Sequence, residues 1–283
     1  MLESGTAVGT AASHERLRSC MCTQAQLQSE AFGAWATALG ESPRNMHRKV
    51  WEYAYITQAL HERGMLAPGR RGLGFAVGVE PLPAFFAGRG CRILATDLET
   101  GEAEKTGWVQ GGQHAATREG LNARGHCTPE EFDERVGFRF LDMRQLPDDV
   151  DTFDFVWSSC SLEHLGSMAL GERFVYGSLR YLKPGGVAVH TTEYNLSSNW
   201  FTYTRGHSVI FRRRDIERIA RNVRRMGFAM ELDLREGDLP LDRIVDPPPH
   251  RGEVHLRLRL GRFTSTSVGM VIERPAADAP AAG

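Results

Sequence analysis

Apolar side chains recur at three- and four-residue intervals up to about residue 68, in "TQAQLQSEAFGAWATALG" and "NMHRKVWEYAYITQALHERGML". That period predicts amphipathic helices. In the second stretch Trp51, Tyr55 and Ala59 share a face, which we read as packing on the rest of the chain rather than covering a ligand. From Gly72 onward, short apolar runs alternate with helical patterns. "GLGFAVG" reads as a first strand and its turn, and "PLPAFFAGRG" as a helix with proline in its first turn. "CRILATD", "VGFRFLDM" and "FDFVWSSCSL" read as the second, third and fourth strands. "ERFVYGSLRYLKPGG" is a helix stopped by proline and glycine before the fifth strand, "VAVHTTEY". "RRRDIERIARNVRRMGF" is an amphipathic helix ended by glycine; "AMELDLRE" and "TSVGMVIER", the latter following "HLRLRLGRF", are the final strands. This alternation predicts an α/β fold with a parallel sheet covered on both faces. The ending "PAADAPAAG" is a Pro/Ala tail expected to be disordered.

Composition narrows the reading. A chain of 283 residues with 41% hydrophobic and 24% charged side chains can bury a substantial core, which favours one domain with additions. A net charge of -1 gives no global field for nucleic acid or an anionic membrane. Cys20, Cys22, Cys91, Cys127 and Cys160 are odd in number and lack the paired spacing of a zinc site or a disulfide framework. No basic leader precedes an apolar stretch at the start, and no segment approaches the roughly 18 apolar residues of a membrane helix. A soluble, cytoplasmic protein with reduced thiols is the expectation.

In such a fold ligands bind beyond the carboxyl ends of the strands, so the residues just after each strand carry the chemistry. Asp97 ends the second strand, where a carboxylate can accept from two ribose hydroxyls. Asp142 and Met143 end the third, suited to an adenine amino group and its ring face. Ser158 to His164, "SSCSLEH", follow the fourth and would line a cofactor's reactive end. A dinucleotide would need G-x-G-x-x-G/A, but counting from Gly72 puts Val77 at the last position, which argues against a dehydrogenase.

Taken together, the glycine turn, Asp97, "FLDMRQLP", "FDFVWSSCSLEHLG" and "LRYLKPGG" resemble the class I S-adenosylmethionine-dependent methyltransferases from about Gly72 to the last strand. The resemblance implies a doubly wound, mostly parallel, seven-stranded Rossmann-like sheet over residues 69–274, preceded by a helical extension over 1–68 that caps the cleft and followed by the tail 275–283. It implies S-adenosylmethionine as cofactor, S-adenosylhomocysteine as product, and cofactor contacts from Gly78, Asp97, Leu98, Asp142, Met143 and Ser159. The opening turn departs from the family pattern: Gly74 stands where its acid is expected, Ala76 at the first glycine and Glu80 at the third. Glu80 is expected either to supply the displaced carboxylate to the cofactor's ammonium group or to cap the following helix, where the dipole favours an anion.

Methyl transfer from a sulfonium is an in-line displacement that depends on positioning, and only a protonated nucleophile needs a base. His164 is the candidate base for a hydroxyl acceptor, the alternative being a helix-cap or packing histidine. Trp108, Gln113, His114, Glu193, Tyr194 and His207 are expected on the same rim, to bind a small molecule or sugar. No H-x-H or H-x-x-x-H spacing supports a metal, and none is expected. Cys160 reads as a small buried residue beside the cofactor. Asp215 and Glu217 interrupt the arginine run "FRRRDIERIARNVRRMGF", so it reads as a solvated helix face rather than an RNA site. The last segment resembles the ending of bacterial methyltransferases of glycan or secondary-metabolite pathways, which favours O-methylation of a polyhydroxylated acceptor. An N-methyltransferase and a cofactor-binding protein without turnover remain the alternatives; a homo-oligomer is left open.

Overall fold

The computed structural model describes residues 16–106, 114–115 and 117–277. The chain opens with β1 (Ser19–Cys20) and the helices α1 (Gln24–Leu27), α2 (Glu30–Ala38) and α3 (Arg48–Glu62). The alternating region runs β2 (Arg71–Phe75), α4 (Leu82–Ala87), β3 (Arg92–Asp97), α5 (Thr100–Thr106), α6 (Pro129–Arg135), β4 (Val136–Phe140), β5 (Phe153–Ser159), α7 (Met168–Ser178) and β6 (Leu182–Asn195). α8 (Arg213–Arg225), β7 (Leu232–Asp233), β8 (Val245–Asp246), β9 (Arg257–Leu260) and β10 (Phe263–Glu273) complete it.

The main sheet has the order β4-β3-β2-β5-β6-β10-β9-β8. From β4 to β6 every pairing is parallel, and β10 runs antiparallel to β6 from Ser265↔Asn195 to Glu273↔Val187. The α/β class and mostly parallel sheet are therefore as expected, with eight strands in place of seven. "AMELDLRE" is not among them. β10 takes the whole free edge of β6, so this segment keeps a single bridge from Ala229 to Glu273 and the two residues of β7, which pair with β1 in a separate ribbon. Of the Pro/Ala tail, residues 278–283 lie outside the described residues.

Alternation along the strands feeds two apolar layers. Phe155 and Trp157 of β5 face α3 and α4, whereas Val156 between them faces the layer of α7 and α8. Trp51, Tyr55 and Ala59 are all fully buried, and the Tyr55 hydroxyl donates to the Arg18 carbonyl at 2.8 Å. Tyr55 needs the bare backbone of Gly269 in β10: a Cβ there would sit 2.1 Å from its ring. On the other face α8 buries Ile216, Ile219, Ala220 and Val223, and its N-terminal Asp215 accepts from the Arg212 backbone N–H at 3.0 Å. Three arginines of this run are drawn into ion pairs, Arg212 with Asp215, Arg213 with Glu217 and Arg218 with Glu172. No described helix is long and apolar enough to cross a membrane.

Candidate active site

At the carboxyl ends of β2, β3 and β5, under α3, lies a cavity of about 290 Å³. Gly78, Glu80, Asp97, Leu98, Asp142, Met143, Ser159, His114 and His164 all line it. The turn after β2 is bent hard: Ala76 and Gly78 hold φ of 48° and 51°, and Cys160, after β5, holds 43°. Two non-glycine residues in the left-handed region at one cavity are stored strain of the kind that functional sites carry.

Asp97 ties the turn to β3. Its Oδ2 accepts from the backbone N–H of Gly78 and of Ala115, each at 3.0 Å, and its Oδ1 from Leu98 N–H at 2.8 Å. Burial raises its pKa, and these amides oppose the rise. With three of about four acceptor sites taken, two ribose hydroxyls cannot both be received unless an amide such as that of Ala115 yields. Asp142 is likewise engaged, its two oxygens receiving Arg144 Nε at 3.0 and 2.9 Å, with Nη2 2.8 Å from Oδ2.

Glu80 is turned inward. The Trp157 indole N–H donates to its Oε1 at 2.6 Å, and burial pushes its pKa up to about 8. α4 begins after its N-cap residue Pro81, where no side chain makes a cap hydrogen bond.

The sequence reading missed the contribution of α3. Lys49 and Tyr53 line the cavity, and Glu52, fully buried one turn away, organises the polar floor behind them. Its carboxylate accepts from Lys49 Nζ at 2.7 Å, Ser159 Oγ at 3.2 Å, the Cys160 thiol at 2.9 Å and Ser267 Oγ. Burial alone would raise its pKa, but Lys49 and Arg48 overrule it and leave about 2. A signal existed: Glu52 is the one acid inside the run "VWEYAYI".

The expected acceptor rim is only partly assembled. Trp108 and Gln113 lie outside the described residues. His114 sits at Asp97, its Nδ1 3.6 Å from Oδ2, rather than on the rim. Glu193 is buried below it, paired with Arg48 and accepting from Ser265 Oγ. Tyr194 is misplaced by the expectation: the two-residue period of β6 points it away from Glu193, into the layer of α7 and α8. His207 is exposed beside the mouth, its ring centroid 5.4 Å from that of His164. His164 Nδ1 lies 2.9 Å from the His207 carbonyl. A carbonyl only accepts, so Nδ1 carries the proton and Nε2 the lone pair.

Residues 73–190 match the family model described as "Methyltransferase domain". With the fold described above, this match bears out the resemblance to the class I S-adenosylmethionine-dependent methyltransferases, and S-adenosylmethionine is the cofactor it implies. No curated protein matches the sequence. Among solved structures the chain is similar to the [4+2]-cyclase SpnF, with 18% identity, 92% of this chain and 100% of that chain covered, and a TM-score of 0.51. It is also similar to a protein of Galdieria sulphuraria assigned as a sarcosine dimethylglycine methyltransferase, with 13% identity, coverage of 80% and 87%, and a TM-score of 0.50. Magnesium protoporphyrin IX methyltransferase of Synechocystis, crystallised with bound SAH, matches at 13% identity, coverage of 89% and 97%, and a TM-score of 0.49. At these identities the first two likenesses speak for the fold alone.

The donor set suits this zwitterionic sulfonium: an acid and apolar surface at one end of the cavity, Lys49 and Glu80 as opposite ionisable groups elsewhere on its wall.

Proposed function

We propose that this methyltransferase moves the methyl group to a hydroxyl oxygen of a small polyhydroxylated or glycosylated molecule. One observation carries the reading: His164 lines the cavity with its tautomer fixed by the His207 carbonyl, so Nε2 is the basic nitrogen. Burial lowers its pKa, which keeps the ring neutral and ready to take a proton near pH 7. Bound S-adenosylmethionine supplies an electrophilic methyl on a good leaving group. Asp97 and Leu98 hold its ribose, and Asp142 with Met143 holds its adenine. Gly78 and Ser159 border the methionine part, whose carboxylate goes to Lys49 and whose ammonium group goes to Glu80. As the carbon–oxygen bond forms and the carbon–sulfur bond breaks, His164 Nε2 accepts the hydroxyl proton. His207, beside His164 at the mouth, borders the acceptor space; Tyr194 has no part in it.

A second reading has one observation in its favour. SpnF is a [4+2]-cyclase on this architecture, and Ala76 and Glu80 replace two glycines of the usual turn, as in a chain that keeps the cofactor and has lost methyl transfer. An amine acceptor is the third, and would leave His164 dispensable. A cytosolic site of action is supported by five free cysteines.

The test is a screen of polyol, glycoside and amine acceptors with S-adenosylmethionine, run on the wild type and on His164→Ala. O-methylated product lost in the variant supports the reading. N-methylated product alone, or S-adenosylmethionine binding with no product, overturns it.

A further inference from the structure

Behind the mouth, three elements bring side chains together that no sequence spacing connects. Cys160 follows β5, Glu163 lies in the 3-10 turn Leu162–His164, and Glu193 is near the end of β6. The Cys160 Sγ and one carboxylate oxygen from each glutamate lie within 4.8 Å of one another. Glu163 is 1% exposed, and its Oε1 has no hydrogen-bond partner among the described residues, while Oε2 accepts from Thr192 Oγ1 at 3.0 Å. A buried acceptor left so is costly and calls for a cation or a donor. His164 Nε2 is 3.9 Å from that oxygen, too far for a hydrogen bond. Arg48 already touches two members of the cluster, its Nη2 paired with Glu193 and its Nη1 3.9 Å from the Cys160 sulfur and 3.1 Å from Ser267 Oγ, yet Glu163 Oε1 is left without a donor.

We propose that Cys160, Glu163 and Glu193 hold one divalent transition-metal ion just behind the part of the cavity wall that Cys160 forms. One sulfur and two carboxylate ligands suit Zn²⁺, Fe²⁺ or Co²⁺, and an all-oxygen ion such as Mg²⁺ or Ca²⁺ poorly. Three protein ligands leave coordination positions for a further oxygen, the pattern of catalytic rather than structural sites. On binding, the Cys160 thiol releases its proton to solvent and its sulfur exchanges Glu52 for the metal; Glu52 keeps its Lys49, Ser159 and Ser267 donors. A coordinated acceptor hydroxyl becomes more acidic and presents its oxygen as the nucleophile, with His164 left as the base. That use of the ion rests on the hydroxyl-acceptor reading; the binding does not.

Cobalt(II) is the probe. The full chain, stripped with chelator and titrated with CoCl₂, is expected to bind one equivalent and to develop thiolate-to-cobalt absorption in the near ultraviolet. Cys160→Ser removes that band, Glu163→Gln weakens binding by about 10- to 100-fold or more, and Cys91→Ser, which changes a buried thiol elsewhere, leaves both unchanged. S-adenosylmethionine affinity reports that each variant is folded. No cobalt bound by the wild type, a band kept in Cys160→Ser, or unchanged affinity in Glu163→Gln overturns the site. Cobalt bound as described with no hydroxyl acceptor methylated leaves the site standing and sinks only the acceptor assignment.

Discussion

The indole of Trp157 on β5 donates a 2.6 Å hydrogen bond to the buried carboxyl of Glu80, at the start of α4. Burial holds this acid of the cavity wall at a pKa of about 8, against 4.5 for the ordinary side chain, and the indole hydrogen bond opposes the rise. The folded state therefore binds more protons than the unfolded chain between those values, and stability falls as pH rises from 4.5 to 8. Glu80→Gln is expected to flatten that fall, so that its melting temperature gains on the wild type above the window. Calorimetric melts on both sides of the window check this; identical pH profiles contradict it.

Cofactor binding should be linked to the same group. An ammonium ion placed beside Glu80 favours the carboxylate, so near pH 7 binding of S-adenosylmethionine releases a proton from the wild type and not from Glu80→Gln. Titrations in buffers of different ionisation enthalpy measure the release.

Lys49 is offered as the partner of the methionine carboxylate. Lys49→Gln should weaken S-adenosylmethionine binding by about 10- to 100-fold, the loss of a charge-assisted hydrogen bond worth roughly 1.5–3 kcal/mol. Glu52 keeps Arg48 as a neighbour, 3.8 Å away, so the fold should survive. An unchanged dissociation constant removes Lys49 from the cofactor site.

His164→Ala should lower kcat by about 10²–10⁴-fold on a hydroxyl acceptor while cofactor affinity holds. A parallel loss of affinity would make the histidine a packing residue.

Gly269→Ala tests the seat of α3. A methyl group there meets the Tyr55 ring, so the variant should lose about 1–3 kcal/mol or more in denaturant titration. Because α3 carries Lys49, Glu52 and Tyr53, cofactor affinity should fall with it.

Residues that follow parallel strands were legible in the sequence. Asp97, Asp142, Ser159 and His164 were placed by strand order alone, and all line one cavity. What depends on packing between distant elements was not legible. Lys49 and Tyr53 reach the cavity only because Tyr55 seats α3 against Gly269, more than 200 positions away. The meeting of Cys160 with Glu193 depends on the β5–β6 register. Tyr194 was misplaced because adjacent strand residues point to opposite faces, and the sequence did not say which of the pair looked toward α3. "AMELDLRE" alternates like a strand, yet the edge it would need is held by β10.

The most direct measurement is calorimetric titration of S-adenosylmethionine into the wild type and Asp97→Ala. One site of micromolar affinity is expected in the wild type, lost in the variant while the fold persists. No binding by a folded wild type, or equal binding by both proteins, contradicts it.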